Sequence, residues 1–318
     1  MQILPLLFLL LPATALKILF VGNSLTYVNN LPEHLLAIGN SNGSVVQFEV
    51  YASVAGGAFI KDHYNEDTNT LGLKTLTKIR DTKADYVVLQ EQSGGYMDMN
   101  SLYNYAPFQS PKTYTELLVD RVLYADSIPV FFMNWAMCTS PAYDEDTSAI
   151  AAAFVYAANK TSSGIIPSAY AMQKLMKLIK TSACTDAIHP SHIAQIVNGY
   201  LLYATFTNHS PIGLGNVFCD IQNITPYQEI AWQVYTTYRS NYSNTNIKFF
   251  NSSAASANLI PFTCYISPPS SPSSPFSPLS STAFELNTPM IAAIASASAV
   301  LLFITFLIIQ KNLNPISK

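Results

Sequence analysis

The sequence predicts an α/β fold, a three-layer α/β/α sandwich around a central, mostly parallel sheet of about five strands. Five short apolar runs supply the strands: KILFVG (17–22), VVQFEVYAS (45–53), YVVLQ (86–90), IPVFFMN (128–134) and GIIPS (164–168). Three of them are almost unbroken in apolar character, the pattern of strands covered on both faces. Helical periodicity fills the gaps at 31–38, 71–80, 112–126, 146–160, 168–181, 192–207 and 226–240. Regular alternation of the two element types predicts parallel strands joined by right-handed crossovers.

Taken in order, the first strand ends on Gly22-Asn23-Ser24. The first helix follows Asn30, with Pro32 in its first turn and Glu33 at the spacing of a capping box. Ala55-Gly56-Gly57 follows the second strand, and Gln90-Glu91-Gln92-Ser93 the third. In a parallel sheet these polar turns gather at the carboxyl rim, where ligands bind at the reversal of strand order.

Both ends of the chain read differently from its body. An apolar stretch, Ile3 to Leu11, precedes Pro12 and Ala13-Thr14-Ala15. This is the pattern of a secretory signal peptide over residues 1–15. Its n-region is charged only at the amino terminus, and Lys17–Val21 makes the better first buried strand. Met290 to Ile309 is free of charge and about the length that crosses a bilayer. Glu285 precedes it, while Lys311 and Lys318 follow in the tail 310–318, which puts the tail in the cytosol. The polar tail favours a retained type I anchor over a GPI signal. Residues 265–289 alternate Pro and Ser and read as an extended stalk. The expected ectodomain is 16–264, one large domain by length.

Sequons at Asn42, Asn159, Asn208, Asn223, Asn241 and Asn251 agree with a secreted domain. Four cysteines in an oxidising compartment suggest two disulfides. Of the three connectivities, Cys138 with Cys184 and Cys219 with Cys264 is preferred, the second closing the domain before the stalk. Their spacing does not resemble a zinc site. A net charge of −3 without a basic cluster gives no reason to invoke nucleic acid.

Ser24, at the end of a buried strand, needs a base to become a nucleophile. The histidines are 34, 63, 189, 192 and 209. His189 stands out because Asp186 precedes it by three residues in TDAIHPSH, a spacing that lets the carboxylate fix the imidazole tautomer. His192, at the start of the next helix, is the second choice of base. Oxyanion donors are sought in the Ser24 amide, in a glycine amide at Gly57 or Gly56, and in the side chain of Gln92 or Gln90. Tyr27, Tyr51, Tyr96 and Trp135 are the aromatic residues expected to flank the rim.

The order GNSLT, a Gly turn, LQEQSGG and DAIHPS resembles the SGNH (GDSL-like) hydrolases, in a branch with Asn in place of the Asp of the GDSL signature. Smaller echoes are Asn134-Trp135-Ala136 and Ile165-Ile166-Pro167. The resemblance extends over most of residues 17–240. It implies the flavodoxin-like three-layer fold and ester hydrolysis without metal or cofactor. Carried onto this chain, Ser24 is the nucleophile, His189 the base, Asp186 its orienter, and Ser24, Gly57 and a side-chain amide the oxyanion hole. The chain departs at the third block, where Asn is usual and Gln90-Glu91-Gln92 stands. Gln92 is the first choice for that role and Gln90 the second.

The expectation is thus a membrane-anchored extracellular serine esterase acting on small-molecule or glycan esters, acetylated carbohydrates among them. Two other readings use the same sequence: a ligand-binding cell-surface ectodomain without turnover, and an acyltransferase in which an alcohol replaces water.

Overall fold

Leu16–Gly22 forms strand β1 because its last five residues are apolar or small and all buried, as a central strand requires. The computed structural model describes residues 15–92 and 112–250, which fall in the first of two units, Met1–Pro269. After β1 come α1 (Ser24–Tyr27), α2 (Leu31–Gly39), β2 (Phe48–Val54), α3 (Ile60–Tyr64), α4 (Thr75–Thr82) and β3 (Tyr86–Leu89). Next are α5 (Tyr114–Tyr124), β4 (Ile128–Phe132), α6 (Tyr143–Thr161), β5 (Gly164–Ile166), α7 (Ser168–Ile179), α8 (His192–Thr207) and α9 (Thr225–Tyr242).

The sheet runs β2-β1-β3-β4-β5, and all four pairings are parallel. The chain steps from β1 out to β2 and then returns across β1 to β3. The order therefore reverses between β1 and β3, at whose carboxyl ends Gly22-Asn23-Ser24 and Gln90-Glu91-Gln92 stand. β3 and β4 are buried almost throughout, whereas β2, at the edge, is only partly covered. Helices α2, α7, α8 and α9 pack with one another in one layer, and α3, α4, α5 and α6 form the other. Helix α8 is buried from Ala194 to Thr207. Gly199 lets α2 approach it, since a Cβ there would lie 2.9 Å from Ile38 Cδ1.

Some details differ from the sequence expectation: the second strand is Phe48–Val54 and not 45–53, the helix expected at 71–80 is Thr75–Thr82, and the fifth strand ends at Ile166. Asn30 adopts a left-handed conformation, φ 53°, and makes no side-chain cap, so the Asn30–Glu33 capping box does not form. A capping box closes instead at Thr113 and Glu116, at the start of α5. Helices α1 and α3 went unpredicted because four or five residues are too short to show a period.

The expected signal peptide (except Ala15), stalk, span and tail lie outside the described residues, as do Ser93, Tyr96, Asn251 and Cys264. Among the described residues no helix is long and apolar enough to cross a membrane.

Candidate active site

The turn after β1 is built around its glycine and asparagine. A Cβ at Gly22 would fall 2.6 Å from Gln90 Oε1 and 2.7 Å from Thr26 Oγ1, so only glycine admits those two side chains. Asn23 caps α1, its Oδ1 accepting the Leu25 N–H at 3.1 Å. Its Nδ2 donates to the Ala58 carbonyl at 3.0 Å, and its own N–H donates to Gln90 Oε1 at 2.8 Å. Ser24 is the first residue of α1, a position whose N–H has no acceptor within its helix.

Ser24 Oγ lies 2.9 Å from His189 Nε2, and His189 Nδ1 lies 2.7 Å from Asp186 Oδ2. An ionised Asp186 accepts the hydrogen bond of Nδ1–H, which keeps the proton on Nδ1 and leaves the Nε2 lone pair for the serine hydroxyl. The structure thus brings together three side chains of which the first is 165 residues from the second. Asp186 Oδ1 also accepts the backbone N–H groups of Ile188 and His189, each at 2.8 Å. Partial burial raises the Asp186 pKa, but these two N–H donors and then the imidazole outweigh it, and the carboxyl sits below its usual range.

The 183–191 segment folds back on itself, with Thr185 N donating to His189 O and Ser191 N to Ala183 O. The strand β4 exit holds it from one side. Cys138 is disulfide-bonded to Cys184, the Cys138 N–H donates to the Ala187 carbonyl at 2.8 Å, and Trp135 Nε1 donates to the Ile188 carbonyl at 2.9 Å. From the other side, Asn29 Nδ2 donates to Pro190 O at 2.7 Å. Gln195 Nε2 reaches from α8 to the carbonyls of Leu25 and Val28, at 2.9 and 3.0 Å. The serine helix and the histidine loop are therefore fastened to each other.

The glycine turn and the third block lie on the opposite flank of Ser24. Ala55 N donates to Gly22 O at 3.3 Å, bringing Gly56 and Gly57 beside the first turn. Gly57 has φ +69°, a conformation that favours glycine. A Cβ at Gly56 would meet the Tyr27 hydroxyl at 3.2 Å. Gln90 is buried and its amide is committed at both ends. Its Oε1 accepts from Asn23 N and Thr26 Oγ1, and its Nε2 donates to the Glu91 carbonyl. It serves the architecture of the turn. Gln92 is half-buried at the rim, and its N–H donates to Glu91 Oε1 at 2.7 Å.

Of the rim aromatics, Tyr27 is 42% exposed beside Gly56. Trp135 is fully buried and braces the histidine loop instead of lining a cleft. Tyr51 lies in mid-strand, paired in register with Leu19, and donates to Glu49. His192 is not directed at Ser24; its Nε2 lies 3.1 Å from Asp220 Oδ2, and its ring packs on His34 and Phe218. Burial, followed by the His192 charge, lowers the His34 pKa to about 3. His63 spans Thr75 Oγ1 and the Gly22 carbonyl behind the serine turn, and burial lowers its pKa to about 4. His209 Nδ1 bonds the Thr207 carbonyl.

The Cys138–Cys184 pairing is the one expected, and Cys219 is disulfide-bonded as well. Sequon residues Asn42, Asn159, Asn223 and Asn241 are exposed; Asn208 is half-buried and accepts from Tyr235 and Arg239. Among the described residues no group of three or more His, Cys, Asp or Glu side chains gathers as a metal site.

Sequence reasoning missed Asn29, Gln195, His63 and the carboxyl of Glu91. Only Gln195 and Glu91 carried a signal, as polar residues within or just after apolar runs that burial obliges to find hydrogen bonds.

No protein-family model and no curated protein sequence matches the chain. Solved structures do. A DUF4886 family protein from Bacteroides uniformis superposes with a TM-score of 0.58 at 17% identity, over 74% of this chain and 98% of its own. A candidate SGNH hydrolase from Slackia heliotrinireducens gives a TM-score of 0.48 at 24% identity, over 60% and 99%. An acetylxylan esterase from Geobacillus stearothermophilus gives 0.43 at 15% identity, over 62% and 97%. These likenesses concern the fold. The chain has a flavodoxin-like α/β architecture, with a five-stranded parallel sheet between two helical layers.

Proposed function

We propose that this chain is a serine hydrolase of the SGNH type that cleaves ester bonds. The observation that carries the reading is the His189 ring between Ser24 Oγ, at 2.9 Å, and Asp186 Oδ2, at 2.7 Å. In this reading Ser24 Oγ attacks the ester carbonyl as its proton passes to His189 Nε2, and Asp186 stabilises the imidazolium. The N–H groups of Ser24 and Gly57, with the Gln92 side-chain amide as third donor, receive the negative charge on the carbonyl oxygen. His189 then protonates the departing alcohol, and water, activated by the same imidazole, releases the acyl group.

The same proposal puts the domain on the cell surface or in an endomembrane lumen. Its supports are the apolar 1–15 and 290–309 segments, the Pro/Ser-rich stalk, the sequons and a disulfide beside the site. Acetyl esters of small molecules and of carbohydrates are the substrates to try first.

The test is a fluorophosphonate probe applied to the secreted ectodomain, residues 16–264, beside Ser24→Ala. Labelling at Ser24 that vanishes in the variant is the expected result. A folded wild-type domain that takes no label, or a Ser24→Ala protein that still labels, overturns the assignment.

A further inference from the structure

We propose that Glu91 is a positioning residue of the active site, its buried carboxyl fixing the two segments that face Ser24 across the oxyanion side. The inference rests on the serine hydrolase reading and deepens it at the block where the chain departs from the SGNH pattern.

Glu91 is 2% exposed, yet it is an acid at the end of a buried strand. A carboxyl there is costly to bury and is retained only where it has partners. Its partners are two backbone donors. Oε1 accepts the N–H of Ile60 at 3.1 Å and the N–H of Gln92 at 2.7 Å. Ile60 opens α3, three residues beyond Gly57, and Gln92 carries the expected side-chain donor. One oxygen therefore spans the glycine turn and the third block, which otherwise belong to crossovers on different strands.

The Glu91 main chain extends the tie. Its carbonyl accepts Asn134 Nδ2 at 2.6 Å, from the turn after β4, and also Gln90 Nε2, whose opposite end holds Asn23. The turns after β1, β2, β3 and β4 thus meet at Gln90-Glu91. Burial raises the carboxyl pKa to about 7, with Asp62 adding to the rise and the two N–H donors and Lys61 opposing it. An acid so placed is poorly suited to a surface role and well suited to accepting fixed N–H donors.

Oxyanion donors act only when they are held where the charge develops, and loss of one typically costs on the order of 10²-fold in kcat. Glu91→Ala should then lower kcat for an aryl acetate by about 30- to 100-fold with KM changed less than about threefold. Glu91→Gln keeps an acceptor oxygen of the same shape and should restore kcat to within about fivefold of wild type. Amide hydrogen exchange gives a readout independent of turnover: the Ile60 and Gln92 amides should lose protection in Glu91→Ala and regain it in Glu91→Gln.

Protection at both amides unaffected by Glu91→Ala overturns the proposal. So does a Glu91→Gln protein as impaired as Glu91→Ala, or a Glu91→Ala protein with wild-type kcat. Fluorophosphonate labelling of the wild type separates the two levels. If Ser24 is unlabelled but the amides respond as expected, the hydrolase reading fails while the structural tie stands.

Discussion

The two flanks of Ser24 are held by different physics. On the histidine side, the chemistry is partly exposed and local: Asp186 and His189 are three residues apart in one folded-back loop. What fixes that loop is a disulfide, the indole donor of Trp135, the Asn29 side-chain amide and backbone hydrogen bonds. On the donor side, the fixing groups are buried side chains, Gln90 and Glu91, that bond main-chain groups of their own turn and of two others. A local motif held by a covalent tie should fail in steps, as each tie is cut. A buried polar hub, whose members depend on one another, should fail with pH and with any loss of an acceptor.

The largest effect is expected where the histidine flank loses its charge. Asp186→Asn removes the carboxylate that fixes the Nδ1 proton, and a carboxamide can accept or donate there, allowing the wrong tautomer. Turnover of an aryl acetate should fall on the order of 10⁴-fold with KM little altered. A variant within tenfold of wild-type kcat would mean that Asp186 does not orient the base.

Next comes the covalent tie. Replacing Cys138 and Cys184 together by serine releases a loop closed over a sequence separation of 46 residues. Loop-closure entropy puts the stabilisation of such a link at about 4 kcal/mol, with typical measurements near 2–4. Because the tie lies between the β4 exit and the histidine loop, denaturant unfolding and kcat should fall together. A destabilised variant with wild-type kcat at low temperature would show that Trp135 and the backbone bonds suffice to hold the loop.

How far the sequence disclosed all this follows the same division. The strands, the parallel architecture and most helices were legible because apolar runs and helical periods are local patterns. Ser24, Asp186 and His189 were legible because a strand end and a three-residue spacing are also local. The Cys138–Cys184 bond was one of three connectivities and was chosen correctly, but nothing in its spacing announced that it braces the loop of Asp186 and His189. Trp135 and Tyr51 were misplaced at the rim because residue number relative to a strand end does not say which way a side chain turns. Gln90 is the sharpest case. Its polarity at a strand end demanded a partner, and only the fold reveals that the partner is the serine turn itself.

On the donor flank, the pH dependence of stability should expose the hub. The folded pKa of Glu91, about 7, lies above the ordinary 4.5, so its contribution is fully present below about pH 4.5 and is lost as pH rises through 7. The shift corresponds to about 3 kcal/mol, an order-of-magnitude figure. His34 and His63, with lowered pKa values, work in the opposite sense, withdrawing stability as pH falls below about 6.5. Both histidines remain in Glu91→Gln, so the difference between the two proteins isolates the acid. Wild type minus Glu91→Gln should decline between pH 4.5 and 7 and then level off. A flat difference would mean that Glu91 ionises in the fold much as it does in the unfolded chain.

The smallest expected effect returns to the histidine flank and asks whether its ties are separable. Trp135→Phe keeps an aromatic ring in the buried site beside Phe132, whose centroid is 6.2 Å away, but removes the N–H that reaches the Ile188 carbonyl. One neutral hydrogen bond contributes about 1 kcal/mol net, and the smaller ring adds a packing loss of similar size. Ile188 lies between Asp186 and His189, so loosening its carbonyl should lower kcat a few-fold while the disulfide still closes the loop. Combining Trp135→Phe with the Cys138/Cys184 double replacement decides the comparison. If the ties act independently, their free-energy effects on kcat add. A combined loss well beyond that sum would mean each tie had been covering for the other, and the histidine loop would then be as cooperative as the buried hub across the site.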